Sequence, residues 1–248
     1  MKILVDIGNS RIKWCWYRDG SMHSPGTCNY TIAELSDNLD SIWSESPVPS
    51  EVSVSCVRGK EVIEVLTDWL QSHWNVIPEY ATVSESELGV TNGYEEYNRL
   101  GIDRWLALLA TWNRWKKPAC VVDCGTAITI DSLDGQGNHL GGYILPGLHM
   151  MLQTLHEKLP VIPEITGLPG GTGYARSTMQ GVSSGCLLAV ISLIERVVEE
   201  MQHTFDNHTE CVITGGDAGV IMEYLSAQFH HRPMLVLEGL AIQKGIDP

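Results

Sequence analysis

Ala119-Cys-Val-Val-Asp-Cys-Gly-Thr-Ala-Ile-Thr-Ile-Asp131 is the stretch whose reading decides the fold. It begins as a short apolar run and drops into an Asp-Cys-Gly-Thr turn at Asp123 to Thr126. It then resumes with Ile128 and Ile130 alternating with polar neighbours, the pattern of a β-hairpin arm. Lys2-Ile-Leu-Val-Asp-Ile-Gly-Asn-Ser10 has the same grammar: an apolar run into Asp-x-Gly, then Ile12, Trp14 and Trp16 alternating with polar residues. One such turn is a weak signal, because Asp and Asn in a turn often do no more than satisfy local backbone groups. Two copies, each opening its own half of the chain, point to a duplicated nucleotide clamp.

Working outward, residues 1–18 read as strand, glycine turn and strand, closed by the hairpin signal Arg18-Asp-Gly20, with polar Ser- and Pro-containing segments after it. A short helix is expected over Ile32 to Trp43, a half-buried strand over Val52 to Val57, and a helix over Lys60 to Trp74, where Val62, Ile63, Val65, Leu66, Trp69 and Leu70 recur at helical spacing. Short strands are expected at 75–77 and 81–83, and a polar, aromatic loop from Leu88 to Leu100. Leu106, Leu109 and Ala110 mark a helix from Ile102 to Trp115, stopped by Pro118. The second half repeats the plan with a strand to Leu133, an Asp134-Gly-Gln-Gly turn, a returning strand to Leu145 and a helix from Leu148 to Lys158. A Pro- and Gly-rich loop spans Pro160 to Gly173, and a long helix runs from a Ser177 cap to Met201 with Glu195, Glu199 and Glu200 facing water. A strand at Cys211 to Thr214 feeds Gly215-Gly-Asp217 and a helix to Phe229; Met234 to Leu237 reads as a last strand and Glu238 to Gly245 as a last helix. Alternating strands and helices make the class α/β, with two lobes, 1–117 and 118–248, packed around a cleft.

The 248 residues carry a net charge of −14, which argues against nucleic acid or an anionic membrane as partner, since phosphate backbones are bound through clustered Lys and Arg. A single small anion held by backbone N–H groups remains compatible with that charge. Seven scattered cysteines without a Cys-x-x-Cys pair fit a reduced compartment, and Cys120 and Cys124 read as small buried strand residues, with redox exposure of Cys124, inside the turn, as the lesser alternative. Nine histidines form no metal-ligand array, and His230-His231 reads as a solvated loop. No apolar run approaches the roughly 20 residues that span a bilayer. Met1-Lys2 passes directly into an apolar strand, so a cytoplasmic location is expected.

The chemistry sits in the turns. Gly8 lets backbone approach a ligand, successive N–H groups there make an anion site, and Asn9 and Ser10 add side-chain donors. Asp6, unable to face phosphate directly, makes sense as the holder of a hydrated Mg²⁺. Asp123, Gly125 and Thr126 reproduce acid, glycine and hydroxyl at matching offsets, and Thr214-Gly-Gly-Asp217 offers bare backbone to a nucleoside. Neither Gly-x₄-Gly-Lys-(Ser/Thr) nor Gly-x-Gly-x-x-Gly is present. In Leu100-Gly-Ile-Asp-Arg104, Asp103 reads either as a helix N-cap or as a base beside an arginine that holds a substrate carboxylate; both readings stand.

Asp6-x-Gly-Asn-Ser10, Gly101-Ile-Asp-Arg104, Asp123-Cys-Gly-Thr126, Gly142-Tyr-Ile-Leu-Pro-Gly147, Ser177-Thr178 and Thr214-Gly-Gly-Asp217, in this order and spacing, resemble type III pantothenate kinase over nearly the whole chain. The resemblance implies the superfamily of acetate and sugar kinases, heat-shock chaperones and actin. Its members have two ribonuclease-H-like lobes with a nucleotide cleft between them, and this family forms a homodimer with the acceptor site near the subunit interface. It implies that Asp6, Ile7, Gly8, Asn9, Ser10, Arg11, Ile12, Lys13 and Thr126 bind ATP with Mg²⁺, and that Asp123 binds a monovalent cation, K⁺ or NH₄⁺. Tyr94, Gly101, Ile102, Asp103, Arg104 and Thr178 would hold pantothenate, with Asp103 the general base and Thr172 the alternative to Thr178. The product would be 4′-phosphopantothenate, the entry to coenzyme A. Ser10 stands where Thr is common and keeps the hydroxyl, and Gly181 stands where Ala is common. The rivals are a non-catalytic regulator on the same fold, against which the intact Asp103-Arg104 counts, and a chaperone-like or phosphatase ATPase, which lacks the Gly-x-Asp-Arg acceptor motif.

Overall fold

Ile3, Leu4, Val5 and Ile7 are all fully buried, so the first apolar run is a strand covered on both faces, which is why it reads as continuous rather than alternating. The computed structural model describes residues 1–165, 167 and 170–246, in two compact units: Met1–Asn113 with Met234–Pro248, and Arg114–Pro233.

The first unit contains β1 (Lys2–Ile7), β2 (Arg11–Arg18), β3 (Ser21–Asn29), α1 (Leu35–Trp43), β4 (Glu51–Cys56), α2 (Lys60–Trp74), β5 (Glu79–Tyr80), the small hairpin β6 (Ser86–Glu87) and β7 (Val90–Thr91), and most of α3 (Ile102–Trp115). Its sheet has the order β3-β2-β1-β4-β5, with β1 antiparallel to β2 and parallel to β4. Leu35, Leu39 and Trp43 of α1 and Leu66, Trp69 and Trp74 of α2 pack on one face of this sheet against Ile3, Val5, Ile7, Val52 and Val54. Asn75 ends α2 in a left-handed C-cap, φ 54°.

In the second unit β8 (Ala119–Cys124), β9 (Ala127–Leu133), β10 (His139–Pro146), α4 (Leu148–Lys158), α5 (Thr178–Thr204), β11 (Glu210–Thr214), α6 (Ala218–Met222) and β12 (His230–His231) follow in turn. The sheet order is β10-β9-β8-β11-β12, with β8 antiparallel to β9 and parallel to β11. The two sheets therefore share one topology strand for strand, and the duplication read from the two Asp-x-Gly turns extends to the whole sheet. Cys120, Val122, Cys124, Ile128 and Ile130 face Leu187, Val190, Ile191 and Ile194 of α5. Length and hydropathy alone would let α5 cross a membrane, a run the apolar-segment reading passed over; its buried side chains make it the core helix of this unit. Ser177 caps it, its Oγ accepting the Gln180 N–H at 3.3 Å.

Several expectations change. The chain's end is one helix, α7 (Leu235–Gln243), with no strand at Met234 to Leu237, and it groups with the first unit rather than with residues 118–233. The cause is close packing: Leu235, Leu237, Leu240 and Ala241 are buried, α7 lies against β1 and β4, and a Cβ on Gly239 would collide with the Leu106 carbonyl. Gln243 Nε2 ties the helix to Glu87 Oε2 and the Thr82 carbonyl, each at 2.8 Å. The polar segment after Gly20 is strand β3, an edge strand whose sparse apolar residues hid it. The strand after α2 is Glu79–Tyr80 rather than 75–77 or 81–83, α6 stops at Met222, and His230-His231 is an edge strand paired with β11. Glu195 is half-buried and accepts the Ser226 N–H and hydroxyl, so it faces water only in part. Of the loop from Pro160 to Gly173, residues 166, 168 and 169 lie outside the described residues.

Gly239→Ala is expected to destabilise the protein by about 1–3 kcal/mol through overpacking against α3. Gly219→Ala, where a Cβ meets open space, is expected to be neutral or slightly stabilising. Urea melts of the two variants measure the difference.

Candidate active site

The β1–β2 turn is closed by Gly8 N–H donating to the Arg11 carbonyl at 2.9 Å, which leaves Asn9 and Ser10 exposed at its tip. Asp6, 7% exposed, accepts the Ser55 hydroxyl at 2.9 Å. Ser55 is its register partner on β4 and Lys13 its partner on β2. Tyr30 donates its hydroxyl to the Gly8 carbonyl at 2.8 Å, so the turn is braced from below by β3's end. Asp6 through Lys13 thus form one rigid hairpin. Ser55, which orients Asp6, was legible only as a polar residue in a strand that reads as half-buried.

In the second unit the Asp123–Thr126 turn is closed by Gly125 N–H donating to the Ala127 carbonyl at 3.1 Å, and the hydroxyl-bearing Thr126 is exposed. Two other loops interlock with it through backbone alone. Gly147 N–H donates to the Thr126 carbonyl at 2.9 Å, and Asp217 N–H to the Cys124 carbonyl at 3.0 Å. A Cβ on Gly147 would collide with the Gly125 and Thr126 carbonyls, and one on Gly215 with the Cys124 backbone. Glycine is required at both positions for this close approach. The Thr214-Gly-Gly-Asp217 turn and the Pro146-Gly147 step therefore belong to the same site as Asp123. His149 Nε2 stands 3.9 Å from Asp217 Oδ1. Cys124 is the buried strand residue expected, and burial, followed by the charges of Asp123 and Asp217, pushes its thiol far above the usual range, so the alternative of redox exposure does not hold.

The third constellation lies wholly in the first unit, on the loop that leads into α3. Asn92, buried, donates to the Tyr97 carbonyl at 3.1 Å and accepts the Tyr94 N–H at 3.0 Å, which fixes the loop. Tyr94 OH accepts from Arg104 Nη1 at 2.6 Å, and the guanidinium lies 5.4 Å from the ring centroid. Arg104 is 6% exposed. The helix starts at Ile102, so Asp103 sits within its first turn and is not the N-cap; its Oδ1 accepts the Arg104 N–H at 2.8 Å. A Cβ on Gly101 would come 2.6 Å from that same Oδ1, so glycine leaves the room the carboxylate occupies. Tyr94, Gly101, Ile102, Asp103 and Arg104 come together as expected. Asn92 was missed, although Asn92-Gly93 is a turn signal in the sequence. Thr178 is on the second unit, exposed, as the first residue of α5, and Thr172 is half-buried.

A buried arginine held on a tyrosine hydroxyl, next to a carboxylate fixed at a helix start, can bind an anionic group and take a hydroxyl proton. Two glycine turns at equivalent places in duplicated sheets can take phosphate. The family model for type III pantothenate kinase matches residues 2–200. The chain is a member of the type III pantothenate kinase family. A type III pantothenate kinase from Nitrosococcus oceani is 39% identical over 246 residues, covering 97% of this chain and 92% of that one. Among solved structures, a conserved Baf-family protein of Campylobacter jejuni, described as a transcriptional activator, superposes with a TM-score of 0.62 at 22% identity, covering 98% and 97% of the two chains. MreB 5 of Spiroplasma citri, bound to AMPPNP, gives 0.51 at 10% identity, covering 98% and 96%. Likenesses at such identities show the fold, and the MreB match makes the duplicated sheets of this pantothenate kinase family member an actin-like two-lobe fold.

Gly101→Ala is expected to lower kcat by about 100-fold, the effect of displacing a reacting group by roughly 1 Å. The melting temperature should move by only a few degrees. Steady-state kinetics beside a thermal melt checks both.

Proposed function

We propose that the protein transfers the terminal phosphoryl group of ATP to pantothenate, giving 4′-phosphopantothenate in the first step of coenzyme A biosynthesis, with Asp103 as the general base. Membership of the type III pantothenate kinase family supports the reaction, and the observation that carries the residue roles is the Tyr94–Arg104–Asp103 constellation. Pantothenate has a carboxylate and a primary hydroxyl. Arg104, presented by Tyr94, pairs with the carboxylate. Asp103, oriented through Oδ1, accepts the hydroxyl proton as the oxygen attacks the γ-phosphorus and the bond to ADP breaks. Thr178 adds a hydroxyl for the acceptor.

Phosphoryl transfer asks mainly for positioning and charge neutralisation. Asp6 to Lys13 and Thr126 take the triphosphate through backbone N–H groups, Lys13 and hydroxyls. Among the described residues there is no group of three or more His, Cys, Asp or Glu side chains fit to hold a metal. That suits a cation which brings its own water and phosphate ligands. Asp6, buried and held by Ser55, would keep such a Mg²⁺ beside the phosphates, where it neutralises their charge. Asp123, half-buried with its carboxylate over Gly125, offers the hard oxygen donors a K⁺ or NH₄⁺ needs.

The same reading makes the protein a cytoplasmic homodimer with the acceptor site near the subunit interface. In support, the second unit carries an apolar groove of about 460 Å³ between α4 and α5, lined by Pro146, Met151, Leu155, Val182, Cys186 and Ala189. Leu188, 47% exposed, lies beside it on α5. The regulatory alternative draws only on the Campylobacter neighbour, whose 22% identity speaks for fold and not for activity.

Purified protein is expected to phosphorylate pantothenate with ATP and Mg²⁺ only when K⁺ or NH₄⁺ is present. Turnover in Na⁺ alone would remove the cation from Asp123, and no turnover in any salt would favour the regulator. Asp103→Asn should cost about 10²–10⁴-fold in kcat with the fold kept. Leu188→Glu should shift the sedimentation coefficient from dimer to monomer.

A further inference from the structure

The turn after β4, Val57-Arg58-Gly59, has no part in the roles assigned above. Its position follows from the parallel pairing of β1 and β4, in which Asp6 faces Ser55 and Ile7 faces Cys56. Past those pairs the two chains run on side by side: β1 enters the Gly8 turn and β4 enters Arg58. Val57 N–H donates to the Ile7 carbonyl at 3.1 Å, which docks the Arg58 turn onto the backbone just before Gly8. Cys56 Sγ points back to the Arg58 carbonyl at 3.8 Å. The charge of Arg58 acts on both Tyr30 and Cys56, opposing the rise that burial and the Asp6 carboxylate give each. Tyr30 is the residue that holds the Gly8 carbonyl.

Duplication supplies an independent view of this place. In the second unit Asp217 N–H docks on the Cys124 carbonyl as Val57 N–H docks on Ile7. The segment after β11 there presents Gly215, Gly216 and a carboxylate. At the corresponding place the first unit presents an arginine.

Arg58 is half-buried, yet among the described residues its guanidinium makes neither a hydrogen bond nor an ion pair. The same holds for the ammonium of Lys13, whose backbone pairs with Asp6 from the other neighbouring strand. In a chain with 30 acidic and 16 basic residues, two cations stand beside one glycine turn whose one neighbouring carboxylate, Asp6, is turned to the Ser55 hydroxyl, which leaves them poised for an external anion. A guanidinium partly withdrawn from water and given no partner is costly unless such an anion arrives.

We propose that Arg58 is a phosphate-binding residue of the kinase: its guanidinium donates to the polyphosphate of ATP seated on the Gly8–Ser10 turn, opposite Lys13. This rests on the reading of Asp6 to Lys13 as a phosphate loop. Arg58 pre-pays the charge neutralisation that the backbone N–H groups of the turn supply only in part. It extends the phosphate site from one hairpin to three neighbouring strands.

The test compares wild type, Arg58→Ala and Arg58→Lys as full-length protein. Removing a charge-assisted hydrogen bond is expected to raise KM for ATP about 10- to 100-fold in Arg58→Ala. KM for pantothenate should stay within about twofold of wild type, and Arg58→Lys should recover part of the loss because it keeps the charge but not the fork. Calorimetric titration with Mg²⁺ and a non-hydrolysable ATP analogue should show the same ordering with no acceptor present. That second readout separates the inference from the acceptor assignment: weakened analogue binding without any pantothenate turnover would leave Arg58 in place and overturn the substrate. Equal KM for ATP and equal analogue binding in wild type and Arg58→Ala overturns the proposal. So does a loss that raises both KM values alike. If Arg58→Ala melts early, Arg58→Lys and Arg58→Gln carry the comparison, and unchanged analogue binding in Arg58→Gln overturns it equally.

Discussion

One backbone hydrogen bond, made twice, organises both units. In each, an N–H just beyond the parallel strand that follows the hairpin donates to the carbonyl of the residue before the turn glycine: Val57 to Ile7 at 3.1 Å and Asp217 to Cys124 at 3.0 Å. The bond forces the loop after that strand to lie against the glycine turn. In the second unit the approach is so close that Gly147 and Gly215 admit no Cβ at all. Close backbone approach of this kind leaves the turn rigid without using a side chain, so Thr126, Asn9 and Ser10 stay exposed for a ligand.

The two carboxylates sit in surroundings that differ in the way their two proposed tasks require. Asp6 is 7% exposed and receives a hydroxyl from a neighbouring strand, while Asp123 is half-buried over Gly125. A buried carboxylate held by a neutral donor keeps a fixed position beside a hydrated cation, whereas a more open one can exchange a weakly bound ion with solvent. The same turn on the same topology thus differs in what its neighbours contribute: Ser55 and Tyr30 in the first copy, Gly147 and Gly215 in the second.

The legible parts of the fold were those with strong local periodicity or local turn chemistry. Lys60 to Trp74 is helical over the expected span because its apolar residues recur at helical spacing and Asn75 can take the left-handed cap. The two Asp-x-Gly turns were legible because glycine and the alternating arms after them are local signals. What was missed depends on partners far along the chain. Leu235 to Leu237 is apolar in a continuous run, which reads as a strand; packing of Gly239 on Leu106 makes it a helix of the first unit. Strand β3 carries too few apolar residues to announce itself and exists because β2 offers it an edge. Within the site, the motif residues were readable, but Ser55, Asn92 and Arg58 were not, since each is defined by what lies beside it in space and not by its neighbours in sequence.

The constellation proposed to hold the acceptor stands apart from the glycine turns proposed to hold phosphate. Tyr94, Asp103 and Arg104 lie on the loop and helix between the two sheets in sequence, outside the strands that were duplicated, and nothing in residues 118–233 repeats them. Duplicated turns can grip a ligand component that both halves bind alike, such as a phosphate chain. A single acceptor hydroxyl needs a single base. Placing that base in the unduplicated segment lets the two phosphate turns keep a shared design while the acceptor chemistry is set independently by Gly101, Asn92 and Tyr94, the residues that hold Asp103 and Arg104 in place. Substrate choice in this fold is therefore expected to follow the loop before α3, and nucleotide use the turns.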